Sequence, residues 1–308
     1  MLLCVTPNPA LDRTLTLADF SLGGIFRPTA VLNAAGGKGV NTARAARVLG
    51  VDSLCMGPLG GYTGRFVAEL AEREGLHGAW TWVDKLTRIC TIIVNASNYE
   101  VTSVYEQMDA LNLDEWQRVQ HDIEAHIHQA ESVCISSSVP KGVTPTAFAD
   151  FVAALVASGK PVWVDTSGAP LAAAMNVPNV NIKINDEEAA EALGQAIHDP
   201  DQAISAAQSL SQRTGGAVVI TLGGRGAVMA SAGEGWQSTP PKIEVKSTVG
   251  SGDSFLAGLM IGLRESAENA LRLAIATGAA NAMSIGGGQF SRADVDALAA
   301  KTHVTRRA

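Results

Sequence analysis

Basic charge is scarce in this 308-residue chain: Lys and Arg number 23 against 30 Asp and Glu, a net charge of -7. A nucleic-acid partner requires a basic footprint that displaces counterions from phosphate. The one basic cluster is Arg306-Arg307 near the C-terminus, read as a solvated tail, so no nucleic-acid partner is expected. Long hydrophobic runs are missing as well. The stretch from Phe255 to Leu263 is about half a membrane span and contains glycine. Leu2-Leu3-Cys4-Val5 is too short for a signal-peptide core and has no basic flank, so no membrane partner and a cytoplasmic location are expected. The four cysteines (Cys4, Cys55, Cys90 and Cys134) include no C-x-x-C pair, which suggests neither zinc nor a disulfide framework. They read as buried thiols in a reducing compartment.

Glycine, by contrast, is abundant: 31 residues, roughly 10% against a usual share of about 7%. Hydrophobic residues make up 46% and charged residues 17%, enough apolar content for a large core. Short β-rich runs at Leu2–Thr6, Ser53–Met56, Val133–Ser136, Val162–Asp165, Val180–Ile184 and Ala217–Thr221 alternate with helical stretches. The helices expected are Val40–Leu49, Gly64–Glu74, Leu113–His128, Pro145–Ala157 and Pro200–Arg213; the first two stop at Gly50 and Gly75. This alternation predicts an α/β fold with a mostly parallel sheet covered on both faces. Leu15–Leu32 and Thr87–Tyr105 break the rhythm. The second reads as a hairpin, Ile89–Asn95 and Val101–Tyr105 around Ser97-Asn98-Tyr99-Glu100, and both together predict a small accessory sheet. After Gly250 the chain reads as helical almost to its end.

Thr248-Val249-Gly250-Ser251-Gly252-Asp253-Ser254-Phe255 is the sharpest motif, and it runs into a helical stretch. Glycines before a helix let backbone N–H groups converge on an anion, with the helix dipole adding a positive field. An aspartate there can take a proton from a hydroxyl beside that anion, which suits phosphoryl transfer to an alcohol. The same residues read equally as an ordinary cap after a glycine turn. Asn33 to Asn41 places Gly36, Gly37 and Gly39 at the start of a helix. It is neither G-x-x-x-x-G-K-[ST] nor G-x-G-x-x-G, and Pro7-Asn8-Pro9 after the first strand argues against a dinucleotide-binding fingerprint. Asn185-Asp186-Glu187-Glu188 is a capping box, and local structure alone explains it. Thr221-Leu222-Gly223-Gly224-Arg225-Gly226-Ala227 reads as a strand with a glycine turn or as a hairpin. His121, His126 and His128 read as a solvated helix face, and Trp80 and Trp82 as one packed face of a strand.

In order and spacing, four segments resemble the phosphofructokinase-B family of carbohydrate kinases. They are Thr6-Pro7-Asn8-Pro9-Ala10-Leu11-Asp12, Gly36-Gly37-Lys38-Gly39-Val40-Asn41, Lys183-Ile184-Asn185 and Gly250-Ser251-Gly252-Asp253-Ser254. The first and last look most like the branch that acts on phosphorylated ketohexoses. The resemblance implies a ribokinase-like three-layer α/β/α sandwich formed by the whole chain, with a β-sheet lid from insertions at about 12–33 and 87–107. It further implies ATP and Mg²⁺, a sugar-phosphate substrate, and a homodimer joined through the lid. On the same basis Asp253 is the base, and Gly250, Ser251 and Gly252 form the anion hole. Asp12 bonds sugar hydroxyls with Gly37, Lys38 and Asn41, and Ser138 sits in the run beside the sugar. Arg27 and Arg88 match contacts to the substrate's own phosphate, a role that suits the planar guanidinium fork, although either also reads as a solvated strand-edge charge. Lys183, Thr221, Gly223 and Gly224 fall beside the nucleotide, and Asn185 and Glu188 order water around Mg²⁺.

The chain departs from the family pattern at Ile25, Ser137, Ile184 and near Met108, on the sugar side rather than the phosphoryl side. Fructose 1-phosphate is the first expected substrate, and tagatose 6-phosphate or fructose 6-phosphate the next. The rivals are a kinase for an unphosphorylated sugar or nucleoside and a sugar-binding protein without catalysis.

Overall fold

The computed structural model describes residues 1–98 and 100–307; Tyr99, in the expected hairpin turn, lies outside them. The chain opens with β1 (Leu2–Val5), β2 (Ala10–Leu17), β3 (Ala30–Gly36), α1 (Lys38–Val48), β4 (Ser53–Leu59), α2 (Gly61–Arg73), β5 (His77–Trp82), β6 (Arg88–Asn95) and β7 (Val101–Tyr105). The middle runs α3 (Leu113–His126), β8 (Ser132–Ser136), α4 (Pro145–Ala157), β9 (Val162–Asp165), α5 (Gly168–Ala174), β10 (Val180–Asn185), α6 (Asp186–Leu193), α7 (Pro200–Thr214) and β11 (Gly215–Thr221). It closes with β12 (Ala227–Ser231), β13 (Glu234–Thr239), α8 (Ser251–Gly262), α9 (Ala267–Ala282), α10 (Arg292–Ala299) and β14 (His303–Arg307).

A ten-stranded sheet has the order β14-β13-β12-β11-β10-β9-β8-β1-β4-β5. Every neighbouring pair from β11 to β5 is parallel, and β12, β13 and β14 add antiparallel strands at one end. Alternate side chains serve the two faces, as the pleat requires. Leu3, Val5, Val133, Ile135, Ile182 and Ile184 pack against α3, α4, α5, α6 and α7. Leu2, Cys4, Cys55, Cys134, Trp163 and Val219 pack against α1, α2, α8 and α9. The central strands are apolar on both faces because helices cover both. Trp116 and Phe151 lock α3 to α4 edge to face, with ring centroids 5.4 Å apart.

Both segments that broke the rhythm join one four-stranded sheet, β3-β2-β6-β7. β2 pairs antiparallel with β3 and parallel with β6, and β6 pairs antiparallel with β7. The Gly223–Arg225 turn is the hairpin alternative, joining β11 to β12. Two expectations need correction. Arg306 and Arg307 are no tail: they belong to β14, where Arg306 pairs with Glu234 and Arg307 with Asp201. Trp80 lies half-buried against the core on its face of the strand, but Trp82 does not pack there. In the edge strand β5, Thr81 points inward while Trp82 remains 48% exposed.

Candidate active site

Parallel α/β sheets gather ligands beyond the carboxyl ends of their strands, and the polar residues of this chain collect there. Asp165 ends β9, Lys183 and Asn185 stand at the end of β10, Thr221 ends β11, and Ser136 ends β8 with Ser137 and Ser138 after it. α1 and α8 begin at the same level, bringing Lys38 and Asn41 to Asp253.

Asp253 lies in the first turn of α8 and is buried. Its Oδ2 accepts a 2.8 Å hydrogen bond from Asn41 Nδ2. Burial pushes its carboxyl up to about 6, and nearby Asp165 pushes the same way, against the Asn41 hydrogen bond, Lys38 and Lys183. A carboxylate of that kind ionises near neutrality and holds a proton more strongly than an ordinary aspartate. The helix starts at Gly250, which has φ 77° in the left-handed region and no side-chain cap. Ser251 N–H turns back to Thr248 O at 3.1 Å and Ser254 N–H to Gly250 O at 2.9 Å, which leaves the Gly252 and Asp253 amides without a backbone acceptor among the described residues. A Cβ on Gly252 would stand 3.0 Å from Lys183 Nζ, so the lysine ammonium lies against this anion-attracting turn.

Sequence reasoning missed Asp165. Fully buried, it accepts from Lys38 at 3.1 Å through one oxygen and from Lys183 at 3.2 Å through the other. Ser136 Oγ adds a third bond at 3.1 Å. Burial pushes its carboxyl up, but Lys183 and Lys38 outweigh that and hold it below the usual carboxylate range. The available signal was an acidic residue closing a strand of a parallel sheet, a frequent place for function. Burial drives the Lys38 ammonium down, yet Asp165, Asp253 and Glu188 together raise it well above its ordinary value.

On the neighbouring side, burial raises the Asp12 carboxyl to about 6, with Arg44 and Arg88 opposing the shift. A Cβ on Gly36 would sit 2.3 Å from Asp12 Cγ, so a larger residue there would displace this carboxylate. Arg88 Nη2 donates to Asn8 O at 3.1 Å, and Asn8 Nδ2 donates to Ser138 Oγ at 3.1 Å. Around this cup, Thr6 Oγ1, Asn8 Oδ1, Arg88 Nε and Thr166 Oγ1 are buried with no partner among the described residues. Thr63 Oγ1 and Trp116 Nε1 are also unpaired, and buried groups of this kind destabilise the fold unless something satisfies them. Asn185 and Glu188 form the expected capping box: Glu188 N–H donates to Asn185 Oδ1 at 2.7 Å, and Asn185 N–H to Glu188 Oε2 at 2.9 Å.

The structure therefore brings Asp12, Lys38, Asn41, Arg88, Ser138, Lys183 and Asp253 into one connected neighbourhood. Thr221 joins it through its 3.3 Å bond to Ile184 O, with Gly223 and Gly224 exposed beyond. Arg27 does not join it: the residue stands exposed on the connection between β2 and β3. The departing residues also take definite places. Met108 and Ile184 are core, Ser137 donates to Asn8 O at 3.4 Å, and Ile25 is 93% exposed.

A family model described as pfkB family carbohydrate kinase matches residues 8–293. The chain belongs to this family, and is accordingly a phosphotransferase with the ribokinase-like fold. It is 33% identical over 278 residues to the 1-phosphofructokinase of Escherichia coli strain K12, an alignment covering 89% of this chain and 88% of that one. Among solved structures it is similar to Escherichia coli phosphofructokinase-2 in complex with fructose-6-phosphate. There the TM-score is 0.88 and the identity 28%, over 98% of both chains. The tetrameric inhibited form of that enzyme gives a TM-score of 0.89 at 28% identity, over 97% of this chain and 98% of that one.

Proposed function

We propose that this chain is an ATP- and Mg²⁺-dependent kinase that phosphorylates a primary hydroxyl of a ketohexose phosphate, fructose 1-phosphate first. The reading rests above all on one observation: the buried Asp253 carboxylate stands in the first turn of α8, behind a left-handed glycine cap and between two lysine ammonium groups. Asp253 takes the proton of the attacking hydroxyl. The amides after Gly250 and the Lys183 ammonium receive the phosphate charge as it migrates. Asp12 orients the sugar hydroxyls, with Gly37, Lys38, Asn41 and Ser138 beside it, while Arg88 takes the phosphate already on the sugar. Arg27 completes that contact once its loop folds inward. Thr221, Gly223 and Gly224 flank the nucleotide.

Magnesium keeps most of its waters and takes few carboxylates, so one acidic group suffices. Glu188 fits that demand, since the capping box engages Oε2 and leaves its second oxygen for an ordered water. When bound, the ion neutralises charge between the nucleotide phosphates.

The four-stranded sheet acts as a lid that closes over the sugar and excludes water. Its edge strands expose Val31, Leu32, Val101, Val104 and Tyr105, an apolar surface that suits a second copy of the chain. A homodimer through this sheet is the proposed assembly, and the four buried free thiols suit a cytoplasmic setting. Among the described residues no helix is long and apolar enough to cross a membrane.

The deciding experiment is turnover of a panel of free and phosphorylated ketohexoses with ATP, with product position read by phosphorus NMR. A bisphosphate product supports the reading. Transfer only to free sugars or nucleosides, or binding with no ATP consumption, overturns it.

A further inference from the structure

Arg44 takes no part in the roles above, yet its guanidinium is fully engaged behind them. It sits on α1, 4% exposed, one turn beyond Asn41. Nη1 donates to Asn41 Oδ1 at 2.7 Å and to Gly287 O at 2.9 Å. Nη2 donates to Ala35 O at 2.7 Å, and Nε to Glu74 Oε2 at 2.5 Å. A guanidinium can only donate, so the end of the Asn41 amide that faces it must be the oxygen. The nitrogen end is thereby turned to Asp253.

We propose that Arg44 is a positioning residue for the reaction base: it fixes the Asn41 amide so that Asp253 meets a donor and not a second oxygen, and Glu74 in turn fixes Arg44. The inference rests on the reading of Asp253 as base. Its geometry extends to the turn that caps α8. A Cβ on Gly287 would meet Asn41 Cγ at 2.7 Å, and one on Gly250 would meet Gly287 Cα at 2.3 Å. The loop held by Arg44 therefore wedges between the base's partner and the glycine cap. Asn281 clamps that loop from α9, donating to Val249 O at 2.7 Å and accepting from Gly288 N–H at 2.7 Å. Lysine cannot reproduce this fork, because a single ammonium does not span four acceptors in one plane.

The charged groups around Asp253 are Lys38 on α1, Lys183 on β10, Asp165 on β9 and Asp12 on β2. All of them remain in an Arg44 variant. An amide freed to rotate presents oxygen to the carboxylate for part of the time and disfavours its charged form.

The test uses the full chain as wild type, Arg44→Gln, Arg44→Lys, Asn41→Ala and the Arg44→Gln/Asn41→Ala double variant. Two readouts are taken: the pH profile of kcat, and the carbon-13 carboxyl titration of Asp253 in the substrate-free protein. Arg44→Gln should lower kcat about 10–100-fold, with KM for ATP changed by no more than about twofold. Its acid limb and the Asp253 titration should both move upward by about half to one pH unit. Arg44→Lys should not restore either, and adding Arg44→Gln to Asn41→Ala should change nothing further. Shifts that add in the double variant overturn the proposal, since the charge of Arg44 would then act directly. An unshifted Asp253 titration in folded Arg44→Gln overturns it too. Should Arg44→Gln fail to fold, Glu74→Gln loosens the same fork, and its upward shift or lack of one decides in the same way. The carboxyl titration needs no turnover, so it judges the amide even where the sugar panel fails and the kinase reading falls.

Discussion

The ammonium of Lys38, carried by the first turn of α1, lies 3.1 Å from the carboxylate of Asp165 at the end of β9. The other Asp165 oxygen takes Lys183 at 3.2 Å, so one buried acid is shared by two cations. Asp165→Asn leaves the lysines to repel each other. Removing one partner of a buried ion pair costs about 3–5 kcal/mol. The Lys38 side chain is 42% exposed, so solvent screens part of the loss and about 2–3 kcal/mol is expected here. Urea unfolding at pH 7 measures it. Because folding lowers the Asp165 carboxyl, its stabilisation is complete above the ordinary carboxylate range and is lost as pH falls below it. The wild-type and Asp165→Asn stabilities should therefore converge in strong acid.

Asp253 and Asp12 titrate in the opposite sense, both raised to about 6 chiefly by burial. Their folded forms hold protons more tightly than the unfolded chain, so their contribution is present below the ordinary carboxylate value. It disappears as pH rises through about 6. Asp253→Asn should consequently raise the melting temperature at pH 8 and leave it nearly unchanged at pH 4, as calorimetry would show. The same substitution should reduce kcat by about 10²–10⁴ while ATP binding persists. Wild-type kcat should fall on acidification through about pH 6, as the base becomes protonated.

Arg88 and Arg27 should separate in kinetics. Arg88 is anchored at the cup with Nε buried and unpaired, whereas Arg27 stands exposed on its loop. Arg88→Ala should raise KM for the sugar phosphate by about 10–100-fold, the loss of a charge-assisted phosphate contact. Arg27→Ala should raise it less. An Arg88→Ala enzyme with unchanged KM argues for a substrate without that phosphate.

Gly250→Ala should unfold more easily and turn over poorly. Alanine at φ 77° is strained, and its methyl would meet backbone, Gly287 Cα at 2.3 Å, which has no side chain to move aside. A loss of about 2–4 kcal/mol is expected from strain and displaced backbone together. Thermal melts compared with Gly224→Ala, where nothing lies within 4 Å of the added carbon, isolate the effect.

Where both faces of a strand are covered, the sequence announces it. The apolar runs of β1, β8, β9, β10 and β11 and the glycine stops after α1 and α2 are local features that survive into the fold. The polar strands at the other end are not local. His303–Arg307 becomes a strand only by pairing with Glu234–Thr239, and its arginines find acids 72 and 106 positions away. The site divides in the same way. Gly250 to Asp253 is legible because cap, helix and acid are contiguous. Asp165 was invisible as a partner because its lysines come from positions 38 and 183, and Arg44 because three of its four acceptors, at Ala35, Glu74 and Gly287, lie outside its own helix.

Cys4, Cys55 and Cys134 stand in register on β1, β4 and β8, three neighbouring strands towards the β5 end of the large sheet, all fully buried. Burial also pushes the Cys55 thiol up to about 12 and Cys90 up to about 11, so hardly any reactive thiolate exists at neutral pH. A thiol reagent can reach these three only when those strands part. The rate at which the native protein takes up such a label is therefore a clock for opening of its innermost layer, and a ligand that tightens the sheet should slow it.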